Sequence, residues 1–137
     1  MITMNIYIGY KYRNFADKEN LKQSLFKISE VLENMGHKTF ILGRDKFNWH
    51  HHGTPSNSIL PTIQNMIKTD VFLAVVECES KSNGLTFESL CSKLLRKKMI
   101  LAVKNGVTGY PFTKYTKNIV KFNNYEDIPS LVESFLK

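Results

Sequence analysis

One glutamate in the second half of the chain has the surroundings of a reactive carboxylate. Glu88 lies on a stretch with helical spacing, and its neighbours three residues away on either side, Leu85 and Cys91, are apolar. The carboxylate therefore lies at the edge of a buried stripe, where partial desolvation raises the pKa of a carboxyl group. Such a group is suited to act as a nucleophile or base. The structural alternative is a surface glutamate near the positive end of a helix dipole.

The loop just before this glutamate combines groups that suit an anion. Residues 77–84 (ECESKSNG) follow an apolar run, and Ser82 and Gly84 stand where a helix begins. Free backbone amides, a hydroxyl and a residue without a side chain favour a bound phosphate or carboxylate there. The loop matches neither the P-loop nor the dinucleotide fingerprint. The alternative is an ordinary loop in which Ser82 caps the helix.

Aromatic and basic residues elsewhere indicate a ligand made of a base and a phosphate. Residues 9–13 (GYKYR), with Tyr10 among them, follow the first apolar run, and Trp49 lies in a long polar stretch. Rings and cations at one rim favour such a ligand, with scattered surface aromatics as the alternative. The three consecutive histidines at 50–52 cannot all face one ion, so no metal site is predicted. Neither cysteine has a histidine at a recognised spacing, which disfavours a thiol enzyme.

These residues must be positioned by strands that alternate with helices. Residues 43–58 show no periodicity and predict a surface loop. Apolar runs predict five strands, and apolar residues at steps of three and four predict helices between them. The strands are predicted at residues 5–10, 38–42, 71–76, 99–103 and 118–122. The helices are predicted through residues 21–35 (capped by Asp17, ended by Gly36), 59–67 (capped by Ser58, with Pro61 in the first turn), 87–95 and 128–136.

This alternation predicts an α/β fold: a doubly wound, five-stranded parallel sheet with helices on both faces, flavodoxin- or Rossmann-like. We expect one domain over residues 1–137, with the first, third and fourth strands at the centre of the sheet. Ligands of such sheets bind at the carboxyl ends of the strands. The segments that matter for function are therefore 9–14, 43–58, 77–88 and 104–116.

Composition narrows the class of protein. The 137 residues are 42% hydrophobic, no apolar stretch approaches the ~18 residues of a membrane span, and no signal-peptide pattern opens the chain. Two cysteines are too few for a disulfide framework, so we expect a cytoplasmic protein.

The net charge is +7, and no acidic residue lies between Ser89 and Tyr125. This segment indicates either a solvated face or a field that gathers phosphorylated small molecules; without a reader motif, it does not favour nucleic acid.

Three stretches resemble a known enzyme family. They are NIYIGY (residues 5–10), MIKTDVFLAVV (66–76) and KSNGLTFESLCSKLLRKKMILAV (81–103). Together they resemble the nucleoside 2-deoxyribosyltransferase superfamily, which includes deoxynucleoside 5'-monophosphate N-glycosidases. In that family a strand ending in Tyr-x-Gly opens the chain, and a Gly-x-x-x-Glu stretch on a helix carries the nucleophilic glutamate.

The resemblance implies a role for several residues. Glu88 matches the nucleophile that attacks the anomeric carbon, and Tyr7 matches the tyrosine that orients it. Gly9, Ser82 and Gly84 match the contacts of a 5'-phosphate in the monophosphate branch. The implied substrate is a nucleoside or nucleotide, the implied assembly is a homodimer or larger, and no metal or redox cofactor is needed.

The sequence departs from the family at the position that protonates the leaving base. Thr62 stands where the family has an aspartate, eight residues before Asp70. That proton then falls to Asp45, Glu77 or water, and Asp45 is favoured because it follows the second predicted strand closely. Leu90 and Cys91 replace a glycine and a small residue of the family.

Two other readings stay open. One is a TIR-like protein, another doubly wound fold with a catalytic glutamate, which cleaves NAD. The other is a non-catalytic nucleotide-binding protein descended from the enzyme, which the threonine at position 62 keeps possible.

Overall fold

Five parallel strands form the centre of the molecule. A computed structural model describes residues 3–10, 18–45, 55–77 and 83–136. The strands are β1 (Asn5–Tyr10), β2 (Lys38–Phe40), β3 (Val71–Val76), β4 (Lys98–Lys104) and β5 (Ile119–Phe122). Their order in the sheet is β2-β1-β3-β4-β5, and all pairs are parallel. The predicted fold class and the central position of β1, β3 and β4 are confirmed. In this order the direction of winding changes between β1 and β3, which is where such sheets bind ligands.

Helices cover both faces of the sheet. Helix α1 (Lys18–Asn34) and helix α5 (Ile128–Val132), which continues as a 3-10 turn over Glu133–Leu136, pack on one face, here called the α1/α5 face. Helix α3 (Pro55–Ile67) and helix α4 (Asn83–Leu94) lie side by side on the other, the α3/α4 face. The strands alternate their side chains between two apolar clusters, and β3, buried along its whole length, contributes to both.

The region between β2 and β3 differs from the prediction. Strand β2 ends at Phe40 rather than at residue 42, and a single helical turn, α2 (Leu42–Asp45), follows it. Helix α3 begins at Pro55, so Ser58 lies inside the helix instead of capping it. Pro61 is consequently interior, where its ring removes one amide from the helical hydrogen bonds. The predicted loop over 43–58 was therefore wrong at both ends.

Two helix ends follow from backbone conformation. Gly36, at φ 97°, lies in the turn after α1, a conformation that favours glycine, and the predicted stop is confirmed. Asp17, the predicted cap at the other end of α1, lies outside the described residues. Within the described ranges, the helices are too short or too polar to cross a membrane.

Candidate active site

A buried tyrosine and a buried glutamate form the centre of the candidate site. Tyr7 lies in the middle of β1 and Glu88 in the second turn of α4, so sequence positions 81 residues apart meet on the α3/α4 face. The phenol Oη of Tyr7 donates a hydrogen bond of 2.5 Å to Oε2 of Glu88. Tyr7 is fully buried and Glu88 is 7% exposed. The contact expected between these two residues is therefore present in the structure.

Aromatic neighbours hold the Tyr7 ring in place. Phe40 on β2 and Phe72 on β3 are the residues directly beside Tyr7 in the parallel register. Their ring centroids lie 4.9 and 5.6 Å from that of Tyr7, in a tilted and an edge-on arrangement. Such geometries are favourable for aromatic pairs. Because all three rings come from adjacent strands, the sheet itself positions the phenol. The two phenylalanines carry no reactive group, so the sequence gives no reason to assign them to the site.

Burial changes the acid–base properties of this pair. Desolvation raises the pKa of Glu88 to about 8, although the hydrogen bond from Tyr7 acts in the opposite direction. Burial, followed by the charge of Glu88 and the hydrogen bond to it, raises the pKa of Tyr7 well above its usual value. At pH 7 a carboxyl group with this pKa is ionised in only about a tenth of the molecules. Glu88 is therefore a neutral acid in most resting molecules and becomes a nucleophile on losing its proton.

Gly9 is required by packing next to this pair. A Cβ atom at position 9 would lie 2.6 Å from Cε1 of Phe72 and 3.0 Å from Cδ1 of Leu85 on α4. The absence of a side chain thus lets α4, which carries Glu88, lie close to β1. Gly84 differs, because a Cβ atom there would meet nothing within 4 Å and the residue is exposed in the first turn of α4.

Thr62 faces the same buried pair. It lies on α3, is 1% exposed, and its side chain acts to lower the pKa of the Tyr7 phenol. Met66, one turn later on the same helix, is fully buried in the apolar cluster that contains Tyr7. The sequence marked position 62 only as a departure from a family pattern. Its contact with Tyr7 depends on how α3 packs, and no local signal in the sequence indicates it.

Asp45 has a structural partner. Its Oδ2 accepts a hydrogen bond of 2.8 Å from the amide of Ile41, while its own amide donates to the carbonyl of Ile41. These reciprocal bonds close the single turn α2 after β2 and resemble helix capping. The side chain is otherwise exposed. Its role as the proton donor to a leaving base stays a prediction.

Of the other residues predicted to contact a ligand, one lies on the opposite face of the sheet and two lie outside the described residues. Tyr10, at the end of β1, packs against the cluster of the α1/α5 face, opposite to Tyr7 and Gly9. The two-residue periodicity of a strand gives the physical reason, because residues 7 and 10 must point to opposite faces. Ser82 and Trp49 lie outside the described residues, as do the histidines at 50–52. In the ranges that are described, no group of three or more His, Cys, Asp or Glu side chains is placed to hold a metal ion.

The basic segment is spread over both ends of the sheet. Lys97 immediately precedes β4 and Lys98 begins it, at the amino end of the strand, whereas Lys104 ends it. The ammonium groups of Lys97 and Lys98 donate to the carbonyl oxygens of Ile67 and Phe135. The positive charge expected to gather phosphate is therefore not concentrated at the carboxyl edge, because the chain crosses the sheet within the segment.

Comparison with solved structures identifies the fold. No protein-family model and no curated protein sequence matches the chain. A CMP N-glycosidase from Clostridium botulinum matches 97% of this chain and 99% of its own, with a TM-score of 0.65 and 15% identity. A 2-deoxyribosyltransferase from Bacillus psychrosaccharolyticus matches 91% of this chain and 90% of its own (TM-score 0.64, 18% identity), and one from Leishmania mexicana 73% and 64% (TM-score 0.56, 16% identity). The chain has the fold of these enzymes.

The shared fold confirms the structural side of the resemblance noted in the sequence. Nearly the whole chain takes part in the match to the bacterial structures. At these identities the comparison extends to the arrangement of strands and helices alone. The chemical roles of Tyr7, Glu88 and their neighbours must be argued from the geometry of this chain.

Proposed function

We propose that the protein cleaves, or transfers a group at, the N-glycosidic bond of a nucleoside or nucleoside 5'-monophosphate, with Glu88 as the nucleophile. The observation that carries this proposal is the buried hydrogen bond between Tyr7 and Glu88 beside the winding change of the sheet. Solved enzymes with the same fold are named for CMP N-glycosidase and 2-deoxyribosyltransferase activity, which supports the same class of reaction.

The proposed reaction has two displacements. The ionised Glu88 attacks the anomeric carbon with one carboxylate oxygen, while the other is held by Tyr7. The bond from that carbon to the base nitrogen breaks through an oxocarbenium-like state, and the base leaves with a proton from a general acid. Water, or a second base, then attacks the glycosyl ester and releases Glu88. Asp45, Glu77 and solvent are the proposed proton sources, since a threonine hydroxyl at position 62 is too weak an acid.

The test is an assay of base release from a panel of nucleosides and their 5'-monophosphates, in which chromatography measures the free base. Glu88→Gln keeps the shape of the side chain but is a poor nucleophile, so base release should fall by several orders of magnitude while binding persists. Wild-type kcat/KM should rise with pH towards about 8, where Glu88 ionises. Unchanged turnover in Glu88→Gln would refute the nucleophile.

A second candidate, a non-catalytic nucleotide-binding protein, is favoured by Thr62, which faces Tyr7 and supplies no acid. Binding of nucleotide by calorimetry without base release would select it. NAD belongs in the same panel, because release of nicotinamide from NAD alone would select the TIR-like reading.

We also propose that monophosphates bind better than the matching nucleosides. The first turn of α4 has an exposed Gly84 with open space around it, and backbone amides at a helix start favour an anion. One charge-assisted hydrogen bond of about 1.5–3 kcal/mol corresponds to a preference of roughly tenfold or more. Ser82→Ala should reduce this preference and leave the free nucleoside unaffected. Equal affinities at low salt would remove the phosphate site.

We propose that the protein self-associates, as the resemblance implies, through an exposed apolar surface on α3 and α4. Large apolar side chains on these adjacent helices are exposed, with Leu94 73% and Leu60 60% exposed. The exposed apolar residues of the patch are Ile59, Leu60, Ile67, Leu90 and Leu94. Helix α3 contains no charged residue, so the patch suits a second copy of the same surface.

Light scattering at micromolar concentration should therefore give the mass of a dimer or larger. Leu94→Glu should give the monomer, whereas Val31→Glu, an equally polar change at an exposed position of α1, should not. A monomeric wild type would end this proposal. The cytoplasmic location stays a prediction.

A further inference from the structure

We propose that Phe72 is a positioning residue, whose ring on β3 supports Tyr7 on one side and the first turn of α4 on the other, so that the phenol and the Glu88 carboxyl meet in one geometry. The inference rests on the proposed function for its effect on base release. It adds to the buried pair a residue that has no reactive group of its own and acts only through the other two.

The ring of Phe72 limits how the Tyr7 side chain can move. Phe72 is fully buried and lies beside Tyr7 in the parallel register of β1 and β3. The two ring centroids are 5.6 Å apart and the rings are edge-on, with an interplanar angle of 79°. The phenol oxygen is the far end of its side chain, so a small rotation at the first torsion displaces it most. In a close-packed interior, the edge of Phe72 blocks that rotation from the β3 side.

The outer end of the same ring lies at the contact between β1 and α4. A Cβ atom at Gly9 would lie 2.6 Å from Cε1 and 2.8 Å from Cζ of Phe72, and 3.0 Å from Cδ1 of Leu85. The ring, the glycine and the leucine therefore meet at one point, although they belong to three different elements. Leu85 is buried on α4, one turn before Glu88. Phe72 thus supports the helix that carries the carboxyl as well as the strand that carries the phenol.

Phe40 provides the comparison on the other side of Tyr7. Its ring centroid is 4.9 Å from that of Tyr7, so the two phenylalanines approach the phenol ring about equally. Phe40, however, lies on the edge strand β2 and is partly exposed. None of the three heavy atoms nearest to a Cβ atom at Gly9 belongs to it. Of these two rings, Phe72 is the one that links Tyr7 with α4.

The quantity that this support controls is the hydrogen bond within the pair. It is short, with 2.5 Å between Oη of Tyr7 and Oε2 of Glu88, and such bonds weaken steeply when their geometry is lost. The bond lowers the pKa of Glu88 against the larger effect of burial. A weaker bond therefore raises this pKa and leaves less of the nucleophile ionised at pH 7. The other ionisable groups coupled to the pair are Tyr10, which acts on Tyr7, and Cys91, one turn after Glu88 on α4.

The test removes the ring and measures Glu88 in the free protein. In Phe72→Leu the titration of Glu88, followed by NMR of 13C-labelled glutamate carboxyls and assigned with Glu88→Gln, should move up by about 0.5–1 pH unit. The kcat of base release at pH 7 should fall about three- to tenfold, in proportion to the ionised fraction, with KM unchanged. A titration that stays in place or moves down overturns the positioning role.

A double-mutant cycle shows whether Phe72 acts through the hydrogen bond. Tyr7→Phe removes this bond and should raise the titration of Glu88 at least as far as Phe72→Leu does. In the Tyr7→Phe background, Phe72→Leu should shift it by less than about 0.3 pH unit, since no bond is left to weaken. The full shift in that background overturns the inference, because it would come from the cavity left by the ring.

Matched variants separate positioning from general damage. Phe112→Leu removes another fully buried ring of the same apolar cluster, in the crossover between β4 and β5, and should leave the titration of Glu88 unchanged. Phe40→Leu should shift it less than Phe72→Leu does, and equal shifts would overturn the link to α4. If Phe72→Leu does not fold, Phe72→Met is the second variant, since its flexible side chain refills the space without a flat ring edge.

The outcomes distinguish this inference from the proposed function. A shifted titration in Phe72→Leu, together with no base release from any substrate, supports the positioning role and refutes the enzyme. Base release that is lost in Glu88→Gln, together with an unshifted titration in Phe72→Leu, supports the enzyme and overturns the positioning role.

Discussion

The two faces of the sheet are built from different kinds of residues. On the α1/α5 face, α1 presents three leucines and one isoleucine to the strands, and Ser29 is the one buried polar residue of α1 among those described. The α3/α4 face, by contrast, buries a carboxyl and several hydroxyls. Its buried polar residues are Thr62, Thr69, Glu88, Ser89 and Ser92. Burial of polar groups lowers stability unless each is hydrogen-bonded. One face therefore supplies the stability that allows the other to hold reactive groups.

The largest expected effect concerns the carboxyl group on the α3/α4 face. The pKa of Glu88 is about 8 when folded and 4.5 ordinarily, so the folded state keeps its proton where the unfolded state loses it. The contribution of the protonated Glu88 to the free energy of unfolding is therefore fully present below pH 4.5. It falls between pH 4.5 and 8 and is lost above pH 8. At about 1.4 kcal/mol per pKa unit, the loss is roughly 5 kcal/mol.

Glu88→Gln should remove this dependence. Urea unfolding at pH 4, 6 and 9 should give similar stabilities for variant and wild type at pH 4, and a variant more stable by several kcal/mol at pH 9. Glu126→Gln is the control, because that side chain is exposed in a surface pair with Lys27 and should change stability by less than about 0.5 kcal/mol. Parallel stability curves for Glu88→Gln and wild type would contradict the burial of an ionisable group.

A cavity on the α1/α5 face should affect stability without affecting the site. Leu25 on α1 is fully buried, and Leu25→Ala should lower the free energy of unfolding by about 2–5 kcal/mol. Base release per folded molecule and the titration of Glu88 should stay the same. Leu85→Ala, on α4 next to Gly9, should change both stability and the site. A loss of activity in Leu25→Ala at full folding would show that the two faces are coupled.

The two glycines near the site should respond in opposite directions. Gly9→Ala places a Cβ atom 2.6 Å from the Phe72 ring and should lower stability by about 1–3 kcal/mol, since the ring or α4 must move. Gly84→Ala meets open space in the first turn of α4, where alanine is the better helix former, and should raise stability by up to about 1 kcal/mol. Thermal unfolding of both variants measures the contrast. Equal effects would mean that α4 does not lie close to β1.

The elements predicted best from sequence are those with the strongest local patterns. Strand β3 has the predicted bounds, Val71–Val76. Because it is buried on both faces, all its residues are apolar, and the ends of the apolar run mark the ends of the strand. Helix α3 begins earlier than predicted, since Pro55 and the short polar residues after it have the composition of a loop. Strand β2 is shorter because it lies at the sheet edge, with neighbours on one side only.

The site was predictable where periodicity or family resemblance constrained it. The pairing of Tyr7 with Glu88 came from the resemblance, and the side of Tyr10 could have been read from the two-residue strand period. The contact between Thr62 and Tyr7 could not, because it depends on the packing of α3 against β1 over 55 positions of chain. The shift in the pKa of Glu88 was expected in direction, whereas its size depends on full burial, which one helix cannot reveal.

The smallest expected effect lies on the side of α4 that faces inwards. Ser92 is fully buried, and among the described residues its hydroxyl has no hydrogen-bond partner. Ser89, one turn earlier and equally buried, donates to the carbonyl of Leu85 at 2.8 Å. Ser92→Ala removes an unsatisfied polar group and adds a better helix former, so the free energy of unfolding should rise by about 1 kcal/mol. Ser89→Ala, the matched control, loses a hydrogen bond and should not stabilise. Urea unfolding of both variants decides the matter: a loss of stability in Ser92→Ala equal to that in Ser89→Ala would mean that the Ser92 hydroxyl is hydrogen-bonded after all, and that the α3/α4 face holds its polar groups without this cost.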